Sequence, residues 1–261
     1  MSCEYVLKLH YLLPIIGLLL LQSCQHNGEV KDKSNVSESK RQEAAAYNTR
    51  LGLAYLNQGD RSRAKRKLVL AMSQAPNSPN VNASMAYFME KSGDMDKAEL
   101  YYQKAMAAAP KAGTQLNNYG TFLCRLGKYK QAETYFLKAV KDIKYDHTAG
   151  AYENAGLCVM AIPDYVSAIK YFNQALDQDP SLEQSLYELV NIEVKQGNIN
   201  EALTYLQKHQ NLTLGDRTLL AMAADVAHKA GKLELEADYK ARLHSFSDNT
   251  GGKNEYDTNN G

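Results

Sequence analysis

Residues 116–140 read LNNYGTFLCRLGKYKQAETYFLKAV. Gly127 stands in the middle of the stretch, Ala132 follows five residues on, and Phe136 comes four beyond that. The same spacing recurs in both directions. Gly59, Gly93 and Gly127 are 34 residues apart, Pro163 comes 36 later, and Gly197 and Gly231 each follow after 34. Alanines repeat in step at Ala64, Ala98, Ala132, Ala168 and Ala202; in the sixth unit the matching residue is Glu236, with Ala237 beside it. A ring or a leucine follows each alanine at Leu68, Tyr102, Phe136, Phe172 and Leu206, and prolines close three units at Pro76, Pro110 and Pro180.

Each part of the pattern has a physical reason. A small residue in the second helix of a pair lets the first helix approach closely, and the large residue one turn later fills the gap beside it. Glycine at the turn accepts a left-handed backbone that other residues resist. A 34-residue helix–turn–helix with these offsets is the tetratricopeptide signature, and no unit buries its apolar face alone, so units stack. The expectation is an all-α, right-handed superhelix of about six tetratricopeptide repeats, at 45–78, 79–112, 113–148, 149–182, 183–216 and 217–246. The third is two residues longer, with KYDH (144–147) where a proline would close it, and the sixth is the least regular, as suits a capping repeat.

The chain ends differ from this core. Lys8 precedes a short apolar run, LLPIIGLLLL at 12–21, too short for a membrane-spanning helix but a normal length for a secretory signal. The LQSC that follows, residues 21–24, resembles a bacterial lipobox, which implies removal of 1–23 and a lipidated (palmitate-bearing) N-terminus at Cys24. An ordinary signal with a chance cysteine is the alternative. Gln25 is not the aspartate that diverts many such lipoproteins to the inner membrane. More than one acyl chain gives stable anchoring without a membrane span. Residues 24–44 carry no apolar periodicity and read as a flexible tether; 247–261, SDNTGGKNEYDTNNG, reads as a disordered tail for the same reason.

No GxxxxGK[ST], HExxH, GxSxG or CxxC occurs, so the chain reads as a non-enzyme with no catalytic residue, cofactor, metal or small-molecule substrate. A net charge of +1 argues against nucleic acid as the main partner. His147 beside Asp146 lacks a third partner and reads as solvated. RSRAKRK at 61–67 packs five basic residues into the second helix of the first unit. It reads either as a solvated face or as a contact with anionic headgroups. Of four cysteines, Cys124 and Cys158 remain for the repeats. They fall on the first helices of neighbouring units, and in an exported protein such a pair reads as a disulfide, with two buried free thiols as the alternative.

The wording of the repeats carries a resemblance. LNNYGTFLCRLGKYKQAETYFLKAV at 116–140, AYENAGLCVMA at 151–161 and RLGLAYLNQGDRSRAKRKL at 50–68 resemble matching repeats of the type IV pilus biogenesis/stability lipoproteins, the PilF/PilW pilotins. Lys144 and Leu214 at closing-proline positions, and Pro163 at a turn glycine, depart from the pattern. The resemblance implies a monomeric lipoprotein on the periplasmic face of the outer membrane. It would bind the pilus secretin subunit, bring it to the membrane and promote its assembly into the multimeric ring. A repeat scaffold for another envelope machine, in outer-membrane protein assembly or a cell-wall enzyme complex, is the alternative. First helices line the concave side of such an array, and the residue after the small position of each tends to face it. That places Leu53, Tyr87, Thr121 and Leu157 in a partner-binding groove, with Leu56, Asn117 and Arg125 alongside. Apolar residues at helical spacing also read as interhelical core.

Overall fold

The computed structural model describes residues 33–251, with side chains over 37–246. The expected signal segment 1–23, the expected lipidation site Cys24 and residues 252–261 lie outside those residues. Among the described residues there are thirteen α-helices and no strand. The chain divides into two compact units, 1–43 and 44–261. Of the first unit, residues 33–43 are the opening turns of helix α1, Lys33–Asn57. The helix thus starts inside the stretch expected to be a tether. No Gly or Pro interrupts 33–51, and Glu38 holds Arg41 and Gln42 at three- and four-residue spacing, the local pairing that sustains a polar helix.

The second unit is a right-handed superhelix of tetratricopeptide pairs. The later part of α1 pairs with α2, Arg61–Gln74; then come α3 (Pro79–Lys91) with α4 (Met95–Ala108), and α5 (Gly113–Arg125) with α6 (Tyr129–Ala139). α7 (Thr148–Met160) pairs with α8 (Tyr165–Gln178), and α9 (Glu183–Gln196) with α10 (Ile199–Lys208). After the short α11 (Gln210–Gly215), α12 (Arg217–Lys229) pairs with α13 (Leu233–Gly251). Each second helix also packs on the first helix of the next pair, as α2 does on α3, α4 on α5, α6 on α7 and α8 on α9.

The small positions explain the close approach. A β-carbon on Gly120 would lie 2.9 Å from Phe136 Cε1, and one on Gly156 would lie 2.6 Å from Phe172 Cε1. Phe136 and Phe172 are fully buried, so those glycines are what lets each ring lie under the first helix. Burying each ring contributes about 1.5–3 kcal/mol. One core cluster runs from Ala86 to Tyr239, while Leu56, Ala64, Leu68, Met85 and Phe88 form the core of the first pair and its junction with the second. Asp60, Asp94 and Asp164 cap α2, α4 and α8 by accepting the backbone N–H of Arg63, Lys97 and Ser167, which satisfies one orphan donor at each helix start.

The irregular places follow from local chemistry. In the lengthened third unit, Asp142 accepts the N–H of Gly113 at 2.8 Å, and Tyr145 folds back to sit buried on that glycine. The two extra residues cover the start of α5, and burial pushes the Tyr145 phenol up to about 12. Where a closing proline is missing at Leu214, the chain adds α11, and the buried Thr213 hydroxyl donates to Leu206 O at 2.8 Å. Helix α13 runs to Gly251, so 247–251 are helical where a disordered tail was expected; no Gly or Pro precedes Gly251 to stop it after Leu233.

Candidate functional site

The first helices lie side by side, α3 against α5, α5 against α7 and α7 against α9, so residues at one register form a continuous strip. Gly52, Ala86, Gly120 and Gly156 point at their own second helices and are buried. The residue after each is turned about 100° away from that face. Leu53, Tyr87 and Thr121 are accordingly half-buried, and Leu157 is 37% exposed. Leu56 does not join them. It lies four residues after Gly52 and so shares the inward face; at 9% exposure it belongs to the core with Leu68 and Phe88, which corrects its placement in the groove.

The polar members of the strip hold neighbouring first helices together. Arg125 pairs with Glu90 of α3, its Nη2 donating to Glu90 Oε2 at 2.7 Å. Glu90 is buried, and the Tyr102 hydroxyl donates to the same oxygen at 3.3 Å. A buried carboxylate needs such company, since an unpaired charge in low dielectric is costly. Burial, and then the Glu90 charge, push the Tyr102 phenol well above its ordinary range, so it stays a donor at neutral pH. Asn117 Oδ1 accepts from Asn154 Nδ2 at 3.2 Å. Gln115 Nε2 donates to Asn80 at 2.7 Å, and Ser185 donates to Glu153 at 2.8 Å. Thr121 donates its hydroxyl back to Asn117 O at 2.9 Å.

A covalent link lies in the same row. Cys124 of α5 and Cys158 of α7 form a disulfide with a Cα–Cα distance of 5.8 Å. Thus Cys124, Arg125, Asn117, Glu153, Asn154 and Cys158 all join consecutive repeats. Glu90, Glu153, Asn154, Ser185, Asn80 and Gln115 were not assigned a role from the sequence. Their signal was there, because partners on neighbouring repeats lie 32 to 37 residues apart. Beside these struts Tyr87 offers an accessible ring, with Lys91 Nζ 5.4 Å from its centroid. Leu53 and Leu157 are the other apolar side chains at this register that keep some exposure.

His147 and Asp146 stand 3.5 Å apart with both side chains largely in solvent. Among the described residues no group of three His, Cys, Asp or Glu side chains could hold a metal, and no helix is long and apolar enough to cross a membrane.

Tetratricopeptide-repeat family models match residues 83–116 and 111–181. The chain's structure is similar to that of PilF from Pseudomonas aeruginosa, with a TM-score of 0.66 and 25% identity, over 79% of this chain and 93% of that one. It is similar also to PilW, described as a widely conserved type IV pilus biogenesis factor, with a TM-score of 0.63 and 24% identity over 77% and 92%. MamA from Desulfovibrio magneticus RS-1 shares the fold at a TM-score of 0.52 and 21% identity, over 65% and 94%. No curated protein is matched in sequence.

Proposed function

We propose that this tetratricopeptide-repeat chain is a pilotin of type IV pilus biogenesis: a lipoprotein anchored through Cys24 on the periplasmic face of the outer membrane, which binds the pilus secretin subunit and promotes its localisation and assembly. The observation that carries the reading is the likeness to PilF, which spans 93% of that chain instead of a repeat or two. The site supports binding over catalysis. The struts between α3, α5 and α7 fix the shape of one face, and a rigid face loses little freedom when a partner docks. Aromatic anchors dominate such contacts, which makes Tyr87 the residue to test.

Secretin should be the main protein recovered when the full-length lipidated chain is drawn from solubilised envelopes. Tyr87→Ala should recover about tenfold less while its thermal midpoint stays within a few degrees, since the ring is half-buried. Recovery of secretin unchanged by Tyr87→Ala removes the groove from the account. Absence of secretin from the wild-type material removes the function.

A further inference from the structure

Helix α2 differs from every other second helix of the array in its charge. It carries Arg61, Arg63, Lys65, Arg66 and Lys67 and no Asp or Glu. By contrast α4 holds Asp96 and Glu99, α6 holds Glu133, α8 holds Asp177 and α10 holds Glu201. Nothing in repeat packing asks for this, because the packing positions of α2 are Ala64, Leu68 and Ala71, all buried. Arg63 is engaged locally: its guanidinium pairs with Asp60 at 2.7 Å and lies over the Tyr55 ring at 5.2 Å. Among the described residues no carboxylate pairs with Arg61, Lys65, Arg66 or Lys67.

The same face is also apolar. Val69 is 52% exposed and Leu70 43%. Arg61, Lys65 and Val69 follow one another at four-residue spacing, and so do Arg66 and Leu70, so basic groups and bare apolar side chains form adjacent rows. Adjacent basic and apolar rows of this kind are the pattern of a helix that lies on a membrane surface. A purely acidic polypeptide such as polyglutamate would satisfy the charges and leave Val69 and Leu70 in water. An anionic lipid surface satisfies both, because phosphates meet the basic rows while the apolar side chains enter the headgroup boundary.

We propose that the outward face of α2 docks on anionic phospholipid headgroups, through Arg61, Lys65, Arg66, Val69 and Leu70. The contact lies on the first repeat, the one nearest Cys24 in sequence, and adds a charge-dependent attachment to any acyl anchor there. It does not depend on secretin being the partner.

The chain has no tryptophan, so Val69→Trp in the full-length protein gives a single reporter on this face. Its emission should shift to the blue on vesicles of phosphatidylcholine with about one third phosphatidylglycerol, and not on phosphatidylcholine alone. Salt should reverse the shift, because exposed ionic contacts are screened within a Debye length of roughly 10 Å or less. Replacing Arg61, Lys65 and Arg66 together by Gln keeps helix propensity and should weaken the response at least about tenfold. Sedimentation with neutral vesicles reads the anchor separately. Protein that sediments with both vesicle types but shows the same emission on each overturns the proposal. So does a response to polyglutamate in place of anionic vesicles, which would assign the face to an acidic protein.

Discussion

At the turn between α7 and α8, Pro163 has a φ of 23°, where Gly59, Gly93, Gly127, Gly197 and Gly231 lie between 69° and 85°. A proline ring prefers a φ near −65°, so this residue is held far from its preferred state by the helices it joins. It also lacks the N–H that Gly127 donates to Cys124 O at 2.9 Å in the preceding repeat; the turn is closed instead by Ile162 N and Asp164 N donating to Val159 O at 3.1 and 3.2 Å. Pro163→Gly should relieve strain of roughly 1–3 kcal/mol and be opposed by about 1 kcal/mol of added unfolded-chain entropy. The net gain of about 0–2 kcal/mol should leave the melting midpoint no lower and raise it by up to about 8 °C in a thermal scan. His209, where α10 meets α11, gives a second test. Its ring is half-buried and Nε2 has no protein partner; burial, and then the Lys208 charge, lower its pKa, against a smaller opposing effect of Asp177. With the folded pKa below the ordinary value, the unfolded chain takes up the proton first. Stability from neutral His209 is therefore full above about pH 6.5 and is lost as the pH falls below it. Denaturant titrations between about pH 7.5 and pH 5.5 should show a smaller decline for His209→Gln than for the native chain.

Between elements, the disulfide is the strongest of the struts. It closes a 34-residue separation, which in the chain-entropy model contributes about 3–4 kcal/mol. Reduction should lower stability by about that amount, and hydrogen exchange should rise in α5 to α8 well before α1, α2, α12 and α13, because repeat stability is mostly nearest-neighbour. Equal loss across the array would contradict the strut reading. The helix pairs themselves were legible in the sequence, since glycine, alanine and aromatic positions recur at a fixed period and each has a packing role. The start of α1 was not legible, because residues 33–43 carry no apolar stripe, and local pairs of the Glu38–Arg41 kind leave little periodic trace. The short α11 was hidden for a similar reason: it fills the place of a missing proline. Among the expected groove residues, the partial exposure of Leu53, Tyr87, Thr121 and Leu157 follows from the position after each small residue. Leu56 was misplaced because distance along the groove was considered without its four-residue step from Gly52. Glu90 and Glu153 were passed over because a carboxylate on an amphipathic helix ordinarily reads as solvated. Only the fold brings Arg125 and Ser185 to them.

For the whole molecule, the parts define a division of labour. The array offers a face stiffened across α3, α5, α7 and α9, with Tyr87 among accessible apolar groups. The proposed anchor at Cys24 and the proposed lipid contact of α2 would give that array an address on a membrane. A scaffold of this kind acts by raising the local concentration of its partner and by holding it in one orientation, so its effect should appear in assembly and not in turnover. The proposed partner is the pilus secretin, whose assembly at the outer membrane would depend on this chain. The most direct measurement is the fraction of secretin found as multimer in isolated outer membranes, compared between cells with the native chain, with Cys24→Ala, and without the gene. Multimers are expected with the native chain, and unassembled or misplaced subunits in the other two. Equal multimer in all three would contradict that dependence.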